Sequence, residues 1–315
     1  WGLASLGLPL LAISIGLSIR WSRRPSLRSG EWRRPASVPA VSAVAGAAMG
    51  IALIFLFLEL AAARATSADF ALFWGVKGAR FAASRGIDAA LLGAEFSHHL
   101  VPDYPPLVPI WLAWTALVAG GLPWQLAPIG AAIWVAAAVP LVAAYLRRRL
   151  SGEATLAVAA FWTVALALST VQSRSGGNAE APLLFFETVA LAALLVESPG
   201  GPPPSRFLPA LALAGATLSK VEGMIAVILI VAGVAVRDLL ERRPDFLRRL
   251  LPILAAPLGG FALWLTFQAA HGLRLGYRTH GGLFSLHFEF LPSVFSGMAR
   301  NLDAGTGWLS WLLPL

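Results

Sequence analysis

Residues 37–63 and 250–270 are each long enough, and poor enough in charge, to constrain everything else about this chain. An α-helix needs about 20 apolar residues to cross the hydrocarbon core of a bilayer. Peptide groups in lipid find no water, so such runs cross as helices, whose hydrogen bonds are all internal. Period-two alternation is not evident, which argues against a β-barrel. The residue count agrees: 57% of the chain is hydrophobic and 13% is charged, where soluble domains carry about 25% charged residues. A soluble core could not hide this much apolar surface. The expectation is an all-α integral membrane protein, a polytopic bundle of transmembrane helices.

Apolar segments read as spans at 2–19, 37–62, 124–146, 153–171, 182–196, 207–218, 223–239, 250–270 and from 303 onward. Three basic clusters separate them: Arg20, Arg23, Arg24, Arg28, Arg33 and Arg34; Arg147, Arg148 and Arg149; and Arg237, Arg242, Arg243, Arg248 and Arg249. Lys and Arg accumulate on the cytoplasmic side of membrane proteins. Placing all three clusters there sends the loops 64–105, 172–181, 218–222 and 271–302 to the outer side. One consequence is forced: "PLVPIWLAWTALVAGG" cannot cross, or the Arg147 cluster would move outside. It then lies in or dips into the outer interface, held by Trp111 and Trp114. The other reading is an ordinary short span with reversed topology downstream. In the first arrangement His98, His99, His271, His280 and His287 and both lysines, Lys77 and Lys220, share the outer face.

A formal net charge of +8 raises the question of nucleic acid. The charge is almost all Arg, set between apolar runs, and no soluble basic domain is present, so the expected partner is the bilayer and nucleic acid is not one. The chain has no cysteine, which excludes disulfides and thiolate metal sites. Residues 197–206, "ESPGGPPPSR", form a Gly- and Pro-rich connector. No internal repeat and no phosphate-binding loop between strand and helix is visible. The expected organisation is a single transmembrane domain over 1–315 whose outer loop, 64–123, carries juxtamembrane helices. The chain opens at Trp1 and stops inside "GWLSWLLPL", so it reads as a piece of a longer protein.

Four short stretches collect the ionisable residues expected outside. In "SADFALFWGVKGARFAASRG", Ser67 or Asp69 can cap a helix starting near Phe70. Phe70, Phe73, Trp74, Lys77 and Phe81 then recur at helical spacing. That predicts an amphipathic helix on the membrane surface, with Lys77, Arg80 and Arg85 near the headgroups. Asp69 is either a helix cap or a carboxylate base at the water–lipid boundary. In "SHHLVPDYPPLVPIWLAW", Pro105 and Pro106 suit the first turn of a helix. Asp103 is then a cap, or joins His98, His99 and Tyr104 in an acceptor or divalent-metal site. In "QSRSGGNAEAPLLFFE", Glu180 opens a helix, where a carboxylate is electrostatically favoured. Arg174, Asn178 and Glu180 could equally contact a phosphosugar. In "LSKVEG", Lys220 and Glu222 mark a tight hairpin between two apolar runs, a solvated turn or an ammonium placed for a lipid-linked phosphate.

These stretches resemble, in order, segments of the GT-C superfamily of membrane glycosyltransferases. The likeness is to the bacterial relatives of the protein O-mannosyltransferase and aminoarabinose transferase group, and it covers residues 64–225. "ADFALFWGVKGAR" is similar to the family's acidic opening of the first outer loop, with Asp69 at the acidic position and Lys77 in the helix that follows. "DYPPLVPIWLAW" resembles its second juxtamembrane helix, "NAEAPLLFF" its acidic helix start, and "SKVEG" its "TKxEG"-like turn. Two features depart from the family: Glu180 stands where Asp is usual, and Asp69 is followed by Phe70 where two adjacent acids are common.

The resemblance implies an inverting hexosyl- or pentosyltransferase of the bacterial inner membrane, working on the cell envelope with its site facing the periplasm or exterior. The donor would be a polyprenyl-phosphate-linked sugar and the acceptor a glycan, lipid or protein. Asp69 would be catalytic, and Lys77, Arg174, Glu180, Lys220 and Glu222 would bind donor phosphate or sugar. Arg274, Arg278 and His280 are further candidates for phosphate. The resemblance implies no resident cofactor, and a divalent metal stays the alternative reading at His98, His99 and Asp103. The rival readings are a transporter or lipid flippase, and a scaffold without activity. A transporter would show internal repeats and charges at the bilayer midplane, and neither is evident in the sequence.

Overall fold

The computed structural model describes residues 39–94, 100–147, 150–195 and 206–273. Every regular element among them is a helix. In chain order these are α1 (Pro39–Ala61), a π-helical turn (Phe70–Trp74) running into α2 (Gly75–Ser84), the short α3 (Ala89–Gly93), and α4 (Leu107–Ala119). A 3-10 turn (Ala127–Ile129) then leads into α5 (Gly130–Leu146), followed by α6 (Gly152–Gln172), α7 (Glu180–Leu195), α8 (Phe207–Ser219), α9 (Glu222–Leu240) and α10 (Phe246–Ala270). Among the described residues five stretches are long and apolar enough to cross a membrane: Ala40–Ala61, Ala127–Leu146, Gly152–Gln172, Glu222–Leu240 and Phe246–Ala270. This is an all-α membrane protein. The expected spans 2–19 and 303 onward, and the connector 197–206 apart from Arg206, lie outside the described residues.

The expected spans 182–196 and 207–218 correspond to α7 and α8, which have 16 and 13 residues. At a rise of 1.5 Å per residue α8 is only about 20 Å long. It sits between α7 and α10 with Leu213, Ala216, Thr217 and Ser219 fully buried. Its Ala-rich sequence lets the neighbours come close. Gly215, for instance, faces the Phe186 ring of α7 at a distance that leaves no room for a side chain. α1 packs along α6 and contributes Ala52, Leu56 and Leu60 to a second cluster with Ala131, Val135 and Ala167. The outward side chains Ile51, Ile54, Phe57 and Leu58 of α1 are exposed, as a lipid-facing helix requires.

α4 has 13 residues, as α8 does, and is not among the five candidate spans. It packs against α2 and α8. Trp114 is about half exposed, but Trp111 turns inward: its ring lies 5.8 Å from that of Trp134 on α5 and closes over Gly130. The expected interfacial anchor at Trp111 is therefore an intramolecular contact instead. An indole packed on a facing tryptophan and a glycine already has its apolar body buried.

Contacts between helix ends set the two poles of the bundle. At one pole Ser67 N–H donates to the Gly176 carbonyl (2.9 Å) and Gly176 N–H to the Ala65 carbonyl (2.9 Å). Lys220 meets Glu180 at 2.8 Å, and the Trp264 indole donates to the Asp103 carbonyl at 3.1 Å. At the other pole the Arg237 guanidinium donates to the Leu194 carbonyl (3.1 Å), and Arg249 pairs with Asp238 (3.1 Å). The described parts of the four loops that the sequence places together thus lie at one pole. Arg237 to Arg249 lie at the other.

The α8–α9 turn is the tightest of these joints. A Cβ on Gly223 would stand 2.1 Å from the Ala216 carbonyl oxygen. Gly223→Ala is expected to destabilise the protein by about 1–3 kcal/mol, the usual cost of overpacking. A lowered thermal midpoint of the detergent-solubilised variant would show it, and an unchanged midpoint would mean that the turn accommodates a side chain at this position.

Candidate functional site

The pole holding Asp69 is built from backbone outward. After α1 the chain reverses at Ala63, which is left-handed (φ 58°), and runs beside the α6–α7 turn in a short bridge between Thr66 and Gly176. Only glycine fits there: a Cβ on Gly176 would lie 2.6 Å from the Ala65 carbonyl oxygen. Ser67 then caps the next helix, its Oγ accepting from Asp69 N–H at 2.9 Å. Of the two expected caps, Ser67 is the one used, and the Asp69 carboxylate makes no capping hydrogen bond. Asp69 is exposed in the first turn, directly before the π-helical turn. Such turns are frequent at functional sites. The next residue, Phe70, packs on Gly177 and shares a buried cluster with Ala179. Asp69 and Glu180 are therefore each one residue from a packed contact at the same corner.

Glu180, Lys220 and Glu222 form one ionic group. The Lys220 ammonium lies 2.8 Å from Glu180 and 3.2 Å from Glu222. Both carboxylates are about half exposed, and the ammonium lies beneath them. Burial alone would pull the Lys220 pKa down, but the hydrogen bonds and charges of Glu180 and Glu222 outweigh it and raise the pKa. Lys220 thus stays charged, and two carboxylates already face its charge. Arg174 ends α6 in the left-handed region (φ 48°), is exposed, and has no ion pair among the described residues. Thr66 Oγ1 and Asn178 Oδ1 are buried at the same corner without a hydrogen-bond partner among the described residues. Unsatisfied buried polar atoms are uncommon in folded proteins.

Lys77 is the main departure from expectation. It does not reach the headgroups but is buried, 2% exposed. The spacing explains this: Lys77 falls on the same helical face as Phe70, Phe73, Trp74 and Phe81, and that face packs inward onto α4. Its ammonium donates to the Val101 carbonyl (3.2 Å) and lies 4.7 Å from the Trp74 ring centroid and 5.4 Å from that of Phe73. Such cation–π contacts strengthen when desolvated. Burial pulls the Lys77 pKa down to about 7, and the nearby Asp103 charge opposes the shift. Arg80 pairs with Asp88 at 2.9 Å, while Arg85 is exposed at the left-handed end of α2.

Asp103 also takes a different place from its expected cap. The residue before α4 is Pro106, with no side-chain cap, and Asp103 is buried opposite Lys77. Three elements hold its segment. Tyr104 stacks on Trp74 with centroids 5.5 Å apart and planes 3° from parallel. Trp264 and Gln268 of α10 donate to the carbonyls of Asp103 (3.1 Å) and Pro102 (3.5 Å). Val101 is left-handed (φ 47°), a strained state for a β-branched residue that persists only where contacts over-determine it. His98, His99, His280, His287, Arg274 and Arg278 lie outside the described residues. His271 ends α10, its ring 4.4 Å from that of Phe267. Among the described residues no three His, Asp or Glu side chains gather as metal ligands.

Sequence reasoning passed over three residues. Trp264 and Gln268 act from a helix more than 160 positions away from the loop they hold. Glu187 lies half-buried inside α7, two turns below Glu180, a carboxyl within an otherwise apolar helix. Its signal was simply a carboxylate in an apolar run. No protein-family model, curated protein or solved structure matches the chain.

The Lys77 arrangement carries a pH signature. Its folded pKa lies near 7, below the ordinary 10.5. Between those values the unfolded chain holds a proton that the folded chain does not, so stability rises with pH across that window and is flat below it. The full span corresponds to up to about 5 kcal/mol. The thermal midpoint should climb between pH 7 and pH 10, and Lys77→Met should flatten the climb. An equal slope in both proteins would place the titration elsewhere.

Proposed function

We propose that this protein is a membrane glycosyltransferase that moves a sugar from a polyprenyl-phosphate donor to an acceptor at the outer face of a bacterial inner membrane. The observation that carries the reading is the convergence of Asp69, Arg174, Glu180, Lys220 and Glu222, spread over 154 positions, on one pole of an otherwise apolar bundle. The order of these segments is the one that the glycosyltransferase resemblance requires.

In this reading Asp69, exposed and uncommitted to a cap, takes the proton of the acceptor hydroxyl. The freed oxygen attacks the anomeric carbon as its bond to the phosphate oxygen breaks, and the leaving polyprenyl phosphate carries away the electron pair. Arg174, with no ion pair among the described residues, is the best-placed cation for that charge, because charge-assisted hydrogen bonds to phosphate are strong. Glu180 and Glu222 would meet sugar hydroxyls, with Lys220 fixing their positions. Lys77 would organise the loop behind the site. Glu187, a half-buried carboxyl within apolar α7, favours a transporter instead, since carboxyls within apolar helices mark ion and substrate paths.

Membranes containing the full-length protein, given radiolabelled polyprenyl-phosphate sugars, should pass label to an acceptor. Asp69→Asn should cut transfer by about 100-fold or more while donor binding persists. Label that crosses the bilayer still attached to its lipid would support transport, and full activity in the Asn variant would remove Asp69 from the mechanism.

A further inference from the structure

The pole opposite Asp69 carries a second charged assembly, at the turn between α9 and α10. Asp238 is buried in the last turn of α9 and gathers three guanidinium groups: Arg237 at 2.8 Å, Arg249 at 3.1 Å and Arg243 at 3.8 Å. Glu241 also pairs with Arg243, and Asp245 with Arg249 at 3.7 Å. Three arginines thus face three acids, and the assembly is neutral within itself. Arg237 also donates to the Leu194 carbonyl, which ties the turn to the end of α7.

Two further arginines are left over. Arg242 and Arg248 are exposed and have no ion pair among the described residues. Helix stability does not account for Arg248, because a cation in the first turn opposes the helix dipole. Beside them Leu240 and Leu247 are 79% and 74% exposed, the most exposed large hydrophobic side chains of this turn. The candidate spans end at Leu240 and resume at Phe246, so Arg242 lies in the turn between them, and Leu247 and Arg248 lie in the first turn of α10. Cationic side chains at the membrane surface draw anionic lipid.

We propose that the α9–α10 turn is a docking site for one acidic membrane phospholipid, whose phosphate lies between Arg242 and Arg248 and whose chains lie against Leu240 and Leu247. The neutral cluster around Asp238 acts as its rigid base. The proposal is independent of the transfer reaction and concerns the opposite face of the membrane.

Native mass spectrometry of the full chain, taken from nanodiscs of mixed phosphatidylglycerol and phosphatidylcholine, tests it. The wild-type protein should retain phosphatidylglycerol over phosphatidylcholine by about 30-fold, from about 1 kcal/mol for each arginine near the surface. The double variant Arg242→Gln, Arg248→Gln should lose that preference, and Arg242→Lys, Arg248→Lys should keep most of it. Both side chains are exposed, so neither variant disturbs a core contact. Equal retention of the two lipids by the wild type, or an undiminished preference in the Gln variant, would overturn the assignment. So would displacement of phosphatidylglycerol by millimolar inorganic phosphate, which would make the site one for free anions.

Discussion

A charge in hydrocarbon is costly unless it is paired or reaches water, and the architecture follows from that constraint. Helices satisfy the backbone internally, which leaves the side chains as the remaining problem. In α1, α5 and α6 the solution is to have almost none: Glu59 and Glu153, both close to helix ends, are the acids in these helices, and no Lys or Arg falls within them. The ionisable residues therefore collect where helices turn. Because consecutive long helices reverse direction, the turns fall at two poles, and distant parts of the sequence become neighbours. The Asp69 pole is thus assembled as a by-product of keeping charge out of lipid.

The two lysines show how differently one pole can treat the same side chain. Lys220 is held by two carboxylates and kept protonated. Lys77 is wrapped in aromatic rings and one strained carbonyl, and its proton is loosened. At Lys220 the hydrogen bonds and charges of two half-exposed acids together outweigh desolvation. Desolvation dominates at Lys77, where Asp103 is the opposing charge and cannot offset the loss of water. The first arrangement fixes charge at a surface. The second ties α2, the segment before α4 and α10 into one body, because the residues around Lys77 and Asp103 come from all three.

Much of this was legible in the sequence. The long apolar runs mark α1, α5, α6, α9 and α10 to within a few residues, because their length leaves one way to cross a bilayer. The brevity of α4 was legible as well, because Gly120 and Gly121 end the apolar run and Gly120 is its left-handed C-cap. The misreadings share a cause. Lys77 was assigned to the headgroups because it is charged, although its spacing with Phe70, Phe73, Trp74 and Phe81 already placed it on the packed face. Burial of those aromatic side chains outweighed the desolvation of one amine. Asp103 and Trp111 were read from local rules for caps and interfaces, while tertiary partners from α2, α5 and α10 decided their positions. The bond of Lys220 to Glu180 spans 40 positions, and no local pattern encodes it.

The charge balance at the Asp69 pole narrows the division of labour there. Glu180, Lys220 and Glu222 together carry one net negative charge, so the group repels an arriving phosphate unless a carboxylate first swings away. Asp69 adds a second negative charge. Arg64, the next cation along the first loop, already leans toward Glu59 at 3.7 Å, and Lys77 lies beneath the surface. Among the described residues, that leaves Arg174 as the exposed positive charge without an acidic partner at this corner. An anionic headgroup would be drawn toward the end of α6, and neutral hydroxyls would be drawn toward the paired glutamates. The pole is thus electrostatically asymmetric, with Asp69 on the loop bridged to the turn that carries Arg174. A ligand with an anionic end and a hydroxyl-rich end has one favourable orientation across it.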